Sequence, residues 1–494
     1  MSTPGSSFSQ FRHSATIAIE DVRLQGALDR ALSHFREARG NALSAVPDVE
    51  ALRDHLKAIR QTTIANLAEH LETFERSAQA NGAHVHWART AAEASQIVVD
   101  IARAHNVKLV AKSKSMMTDE IRLNQALEAA GITPVETDLG EWIIQLSQEP
   151  PYHIIAPAVH KTKGQVIELF EHESGESLSA ADIPALTAVA RRMLRAKFLA
   201  ADMGVSGGNL AVAETGSVVL VTNEGNGRMV TTLPRVHVAV MGIEKIAPTW
   251  DEAAVWLSLL ARSATGQPLS IYTTAITGPA RPGDVDGPQE VHVVLVDNGR
   301  SRLLNTPYEE VLQCLRCGAC LNVCPVYREA GGHAYGSPYT GPIGAVVSPL
   351  LFGLEQYEAL PHASSLCGAC KDVCPVRIDL PRMLLALRQE EVAQGIIAGP
   401  EALAERAVAA LMGNAGLWQL ALGAARLGQR PFLHDGQLQL PVSFTGERRP
   451  PHLAAKSFRQ LWAEGLEAEG LAAESLAAEG LDSQDCRGDD ERTG

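Results

Sequence analysis

The sequence predicts an α/β domain built on a parallel sheet, then a helical cysteine-rich domain and a helical C-terminal region. Three observations carry this. Short strand-like and helix-like segments alternate from residue 83 to about 160, β-branched runs follow to residue 298, and seven of eight cysteines fall within residues 314–374. Strands separated by helices imply parallel pairing with right-handed crossovers.

The first element group is helical. "DVEALRDHLKAIRQTTIANLAEHLETFERSAQANG" (48–82) has helical apolar spacing, and Gly82 is its expected stop. The strand "AHVHWA" (83–88) follows, then the helix "AAEASQIVVDIARAHN" and the strand "VKLVA" (107–111). Thr118 is the expected N-cap of "TDEIRLNQALEAAG" and Gly131 its stop. "ITPVET", a short helix and the strand "YHIIAPA" (152–158) come next. After a helix near 182–203, "GSVVLVT", "VHVAVMG", "SIYTTAI" and "VHVVLVDN" read as strands. The expected domains are a helical extension (1–49), the α/β domain (50–300), the cysteine-rich domain (301–395), a helical region (396–462) and an acidic disordered tail (463–494).

Composition narrows the function classes. With 46% apolar and 20% charged residues, the 494-residue chain is of ordinary soluble globular type, long enough for two or three cores. Of its net charge of −14, the tail contributes −8 from ten acidic and two basic residues, leaving −6 elsewhere. Nothing suggests nucleic-acid binding. The tail repeats "EAEGL AAESL AAEGL", and a period of five turns successive leucines by about 140°, so they share no helix face. The start, "MSTPGSSFSQFRHSATIAIEDVR", lacks a basic region followed by an apolar run, so the expected location is cytoplasmic. Residues 407–425 carry no charge over 19 positions, nearly bilayer length, but Ala, Gly, Asn and Gln dominate them and supply little transfer energy. A helix packed against protein is expected there, with peripheral membrane contact still compatible.

The polar residues of the α/β domain gather at strand ends, where ligands of open α/β sheets bind. Lys112 and Lys114 of "AKSKS" open a helix and could hold an anion; Glu214, Asn223, Glu224 and Arg228 flank another strand. Ordinary turn chemistry accounts equally for "NEGNG". His153, His160, His237 and His292 show no metal-ligand spacing and read as structural.

"CLRCGACLNVCPVY" supplies Cys314, Cys317, Cys320, Cys324 and Pro325, the full C-x2-C-x2-C-x3-C-P run of bacterial ferredoxins. "SSLCGACKDVCPV" repeats it with Cys367, Cys370 and Cys374, but Ser364 stands at the first position. Zinc usually takes separated C-x2-C pairs, and disulfides are disfavoured in a chain without an export signal. In such runs the fourth cysteine ligates the other cluster. One [4Fe–4S] cluster is thus assigned to Cys314, Cys317, Cys320 and Cys374, and a second to Cys324, Cys367 and Cys370. For the second cluster's fourth iron, Ser364 could ligate as an alkoxide, a partner or substrate could supply the ligand, or the iron could be lost to give [3Fe–4S]. Cys486 reads as a bystander. The 39-residue connector (325–363) and "PRMLLALRQEEVAQG" (381–395) are helical by pattern, similar to the α-helical ferredoxin domains of quinone-linked reductase subunits. No GxGxxG follows a strand, so neither a nicotinamide nor a flavin motif is present.

The ordered set "AKSKSMMTDEI", "VETDLGEWIIQL", "PAVHKTK", "AETGSVVLVTNEGNGRMVTTLP", "VMGIEKIAPT", "NGRSRLL" and the two cysteine runs resembles the LutB-type lactate-utilisation iron–sulfur proteins over residues 15–430. The resemblance implies an N-terminal LUD domain similar to the NagB/RpiA/CoA-transferase fold. It implies a subunit of a three-component system oxidising L-lactate to pyruvate, inactive alone, with a CCG-type cysteine-rich subunit and a second LUD protein as partners. It also makes Ser364 the family's normal form. The acidic tail departs from the family pattern. The alternative is a stand-alone α/β enzyme, or another quinone-linked or heterodisulfide-reductase-like electron carrier.

Overall fold

A computed structural model describes residues 5–178, 181–396, 399–434, 437–438 and 451–463. The repeat-bearing tail and Cys486 lie outside the described residues. The chain divides into two compact units, one up to Ile396 and one from Ile397.

The first unit is organised by a six-stranded sheet in the order β1-β10-β7-β4-β2-β3, with every pair parallel. Its strands are β1 (His84–Ala88), β2 (Leu109–Lys112), β3 (Thr133–Glu136), β4 (Met203–Ser206), β7 (Val236–Gly242) and β10 (Glu290–Val296). Every residue of β7 is buried, which explains its nearly unbroken apolar sequence: both faces of a central parallel strand are covered. Apolar side chains of Ala91–Ala104 and of the helices after β2 cover one face, and Leu71, Phe74 and Ala78 cover the other. Gly204 in β4 is obligatory, because a Cβ there would meet the Val230 carbonyl oxygen at 2.0 Å.

A second, four-stranded sheet was not expected. It runs β8-β5-β6-β9, from β5 (Leu210–Val212), β6 (Ser217–Thr222), β8 (Ile246–Ala247) and β9 (Tyr272–Ile276). The β5–β6 and β6–β9 pairs are antiparallel. Apolar runs of this length look alike in either sheet type, so the sequence could not separate the two.

Other expectations need correction. The 48–82 pattern splits at Asn66 into helices Val49–Ala65 and Leu67–Ala80. The helix after β2 starts earlier than expected: Ser115, not Thr118, caps Met116–Glu120 by accepting from the Thr118 N–H. Arg122 adopts a left-handed φ of 54°, so Leu123–Ala129 is a separate helix. "YHIIAPA" is not a strand. His153 Nδ1 accepts from the N–H groups of Ile155 and Ala156 at 3.0 and 3.2 Å, and this local capture competes with sheet pairing.

Residues 1–49 form helices Phe8–Glu20 and Val22–Ser44, whose Leu28, Leu32 and Leu43 share a core with the cysteine-rich region. Ser6 exchanges backbone hydrogen bonds with Gln356 and Ala359. Chain start and cysteine region therefore pack as one body. That core holds Trp256, fully buried, with the Arg60 guanidinium 4.2 Å from its ring centroid.

In the second unit, residues 407–425 are not one packed helix. Gly399–Met412 and Ala415–Gly428 meet at a 113° bend, and the described side chains of both are mostly exposed. Gly413 and the N-cap Asn414 cause the break. Among the described residues, no single helix is long and apolar enough to cross a bilayer.

Candidate metal centre and adjoining cavity

The two cysteine runs, fifty positions apart in register, adopt one backbone path. Arg316 and Leu366 take left-handed φ values of 61° and 56°; Gly318 and Gly368 follow at 75° and 87°. Short helices Ala319–Asn322 and Ala369–Asp372 complete each turn. Left-handed residues on both sides of Cys317 and Cys367 curl the chain, so that thiols at i, i+3 and i+6 can face one point. Gly supplies the left-handed conformation without strain.

All seven described cysteines are free. Cys317, Cys324, Cys370 and Cys374 are buried, while Cys367 is exposed. Their electrostatic neighbours fall into two overlapping groups. Burial pushes the Cys317 thiol up to about 12, and Cys374 and Cys314 add to that. Burial also raises Cys320 well above its usual range, with Cys314, Cys317, Cys370 and Cys374 all near it. Cys370 is raised to about 12 by burial and then by Cys324, which in turn feels Cys367. Cys314, Cys317 and Cys374 thus neighbour one another, as do Cys324, Cys367 and Cys370, and Cys320 feels members of both sets. Thiols this close and dry cannot ionise together without a counter-charge. Metal coordination supplies one and deprotonates the thiol outright, so the donor set fits iron–sulfur ligation.

Cys367 differs from the rest. The Ala369 N–H and the Ser365 hydroxyl hold its thiol below the ordinary value at the surface. Ser364 is half-buried, and its Oγ accepts from the Leu366 N–H at 3.1 Å. In the first run Cys314 Sγ accepts from the Arg316 N–H at 3.4 Å. The serine oxygen therefore occupies the position that a sulfur takes in the complete run.

Cations surround the first group through the backbone. Arg53 donates to the carbonyls of Asp372 and Cys374 at 2.5 and 2.8 Å, Arg39 to Val373 at 2.7 Å, and Lys245 to the Cys314 carbonyl. Arg60 joins the Leu312 carbonyl (3.0 Å) to that of Glu244 (2.7 Å), tying the first run to the loop after β7.

A cavity of about 410 Å³ opens at the carboxyl ends of β2, β4 and β7 and reaches Leu315 and Arg316 of the first run. Among the ligand-site candidates, Lys114, Asn223 and Glu224 line it; Lys112, Glu214 and Arg228 do not. Lys112 is buried in a 2.5 Å pair with Glu136 and is no free anion holder. Glu214 accepts from the Trp250 N–H at 2.7 Å, and Arg228 is exposed on Asn226–Thr232. Lys114 pairs with Glu141 at 2.5 Å. The buried side-chain atoms Ser113 Oγ, Asn226 Oδ1 and Arg316 Nη1 line the cavity without hydrogen-bond partners.

A closed polar ring, not expected from the sequence, stands beside this cavity. Arg300 chelates Glu120 at 2.8 and 2.6 Å, and its Nε lies 2.8 Å from Glu244. Glu244 faces Arg316 at 3.9 Å, Arg316 lies over the Tyr339 ring at 4.4 Å, and the Tyr339 hydroxyl donates back to Glu120. Burial opposes ionisation of Glu244, but Arg300, Lys245 and Arg316 hold its carboxyl down to about 2. Burial lowers Lys245 to about 7, against the pull of Glu244. The signal was "GIEKIAPT" directly after a strand, two adjacent charges amid apolar residues.

The histidines divide. His153 and His237 are buried and bonded to Asn322 (3.0 Å) and Ser206 (2.8 Å), in keeping with structural roles. His160 and His292 instead stand in groups with further histidine and carboxylate ligands.

Fold and site together define a LUD-domain protein carrying a dicluster iron–sulfur module. A LUD domain model matches residues 71–296, and a 4Fe-4S dicluster domain model matches residues 310–378. The chain belongs to the lactate utilization protein B family. It is 46% identical to Lactate utilization protein B of Bacillus licheniformis, covering 87% of this chain and 90% of that one. The Bacillus subtilis protein of the same name gives the same identity and coverage. The electron transport protein YkgF of Escherichia coli is 44% identical over 89% of this chain and 94% of its own.

Proposed function

We propose that this chain is the iron–sulfur electron-transfer subunit of a cytoplasmic complex that oxidises L-lactate to pyruvate. The observation that supports the reading is the repeated backbone path of the two cysteine runs, which carry seven free thiols beside an α/β domain with a cavity. Cys314, Cys317, Cys320 and Cys374 would hold one [4Fe–4S] cluster. Cys324, Cys367 and Cys370, with Ser364 as candidate fourth ligand, would hold the second. When bound, such clusters supply one-electron transfer at potentials set by burial, hydrogen bonds and charge. Arg39, Arg53, Lys245 and Arg316 place positive charge against the first group, and the surrounding apolar core excludes water. The partners proposed are a CCG-type cysteine-rich subunit and a second LUD-domain subunit. The parallel sheet with its cavity at the carboxyl ends is in keeping with a NagB/RpiA/CoA-transferase-like ancestry.

A second reading is favoured by the cavity itself: a substrate site within this chain, making it a stand-alone α/β enzyme. One assay separates the two. Purified anaerobically and alone, the chain should not reduce an artificial acceptor with L-lactate, and adding both partner subunits should start turnover. Robust turnover by the isolated chain would overturn the subunit reading.

A further inference from the structure

We propose that His105, Glu290 and His292 form a binding site for a divalent first-row transition ion of the zinc class, at the opposite end of the parallel sheet from the cavity. His105 caps the C-terminus of helix Ala91–Ala104, and Glu290 and His292 open β10. The three ligand atoms lie within 4.8 Å of one another. Glu290 Oε2 is 3.2 Å from His105 Nε2 and 3.5 Å from His292 Nε2. Zinc bonds of about 2.0–2.1 Å to nitrogen and oxygen make the edge of a coordination tetrahedron about 3.3 Å long. Both measured separations bracket that edge.

Two further observations point to a ligand. His292 is 7% exposed, and its buried Nε2 meets Glu290 Oε2 only at 3.5 Å, too far for a well-formed hydrogen bond. Its other nitrogen, Nδ1, lies 3.1 Å from His86 Nε2. Metal-bound histidines are usually oriented by such a partner on the second ring nitrogen, which fixes tautomer and ring plane. The exposed His84 ring stacks on His292 at 4.9 Å. Arg235 joins the two elements: its guanidinium donates to the His105 carbonyl at 2.6 Å, and its own carbonyl accepts from Glu290 N–H at 3.2 Å. Three protein ligands leave a fourth position for water. No cysteine belongs to the group, so the site is chemically separate from the iron–sulfur module.

The test uses full-length, cluster-loaded protein given one equivalent of Zn2+ anaerobically and then desalted. One zinc per chain should remain, with unchanged iron and a zinc-edge absorption spectrum showing only nitrogen and oxygen neighbours at about 2.0–2.1 Å. His105→Ala and Glu290→Gln, both at accessible positions, should each lose the zinc and keep the iron. His86→Phe should weaken binding by about tenfold. Sulfur neighbours at about 2.3 Å, retention of zinc by both variants, or no retained zinc in the native protein would each overturn the proposal.

Discussion

Leu366 donates its backbone N–H to Ser364 Oγ at 3.1 Å, as Arg316 does to Cys314 Sγ at 3.4 Å. The serine hydroxyl is therefore placed as a ligand would be, with a harder, smaller donor atom. Iron held by four thiolates is well matched in softness, whereas an iron facing serine or water is held less firmly. Brief exposure to air should give a [3Fe–4S] electron paramagnetic resonance signal. Ser364→Cys should suppress that signal by completing the ligand set, and Ser364→Ala should increase it if the hydroxyl ligates. An unchanged signal in Ser364→Cys would remove the open-corner model.

Arg53 ties helix Val49–Ala65 to the second run through the carbonyls of Asp372 and Cys374. Hydrogen bonds from a charged donor contribute about 1.5–3 kcal/mol, so Arg53→Ala should lower the urea midpoint and the iron retained per chain. Arg53→Lys should recover only part, because an ammonium lacks the planar fork. Iron content equal to the native value in Arg53→Ala would show that the clamp does not support the centre.

The Glu120–Arg300–Glu244–Arg316–Tyr339 ring should behave as a unit. Glu120→Gln leaves Arg300, which is 1% exposed, short of one of two carboxylates. Breaking a buried pair from one side costs about 3–5 kcal/mol, and urea unfolding of the cluster-loaded protein should register a loss of that order. A loss below about 1 kcal/mol would mean that solvent reaches the ring.

Acid should weaken the fold before it reaches most carboxylates. Burial, with His292 nearby, lowers His237 to about 3, and burial lowers His153 to about 4. In the native state both stay neutral, while the unfolded chain protonates them below about pH 6.5, so the unfolded state binds more protons there. Their contribution is complete above pH 6.5 and falls as pH drops toward 4 and 3. Each adds a slope of at most about 1.4 kcal/mol per pH unit. His237→Gln should flatten that acid limb in urea titrations between pH 7.5 and 5.5, and an identical limb in the variant would contradict the assignment.

What was legible in the sequence follows from the range of the interactions. The cysteine runs and most strands of the parallel sheet were readable because their signals are local: fixed thiol spacing and unbroken apolar stretches. "YHIIAPA" imitates a strand in composition, and only the His153 ring in place reveals the turn. The polar ring joins residues from Glu120 to Tyr339, and the histidine group needs the end of helix Ala91–Ala104 beside β10, a juxtaposition that no sequence window contains. Lys112 and Lys114 look equivalent in "AKSKS", yet β2 ends at Lys112, which enters a buried pair with Glu136, while Lys114 stands in the loop beyond the strand and lines the cavity.

Counting iron and acid-labile sulfide in the anaerobically purified full-length protein tests the iron–sulfur assignment most directly. Two clusters on the two thiol groups predict close to eight irons and eight sulfides per chain. About one zinc and no sulfide would contradict it.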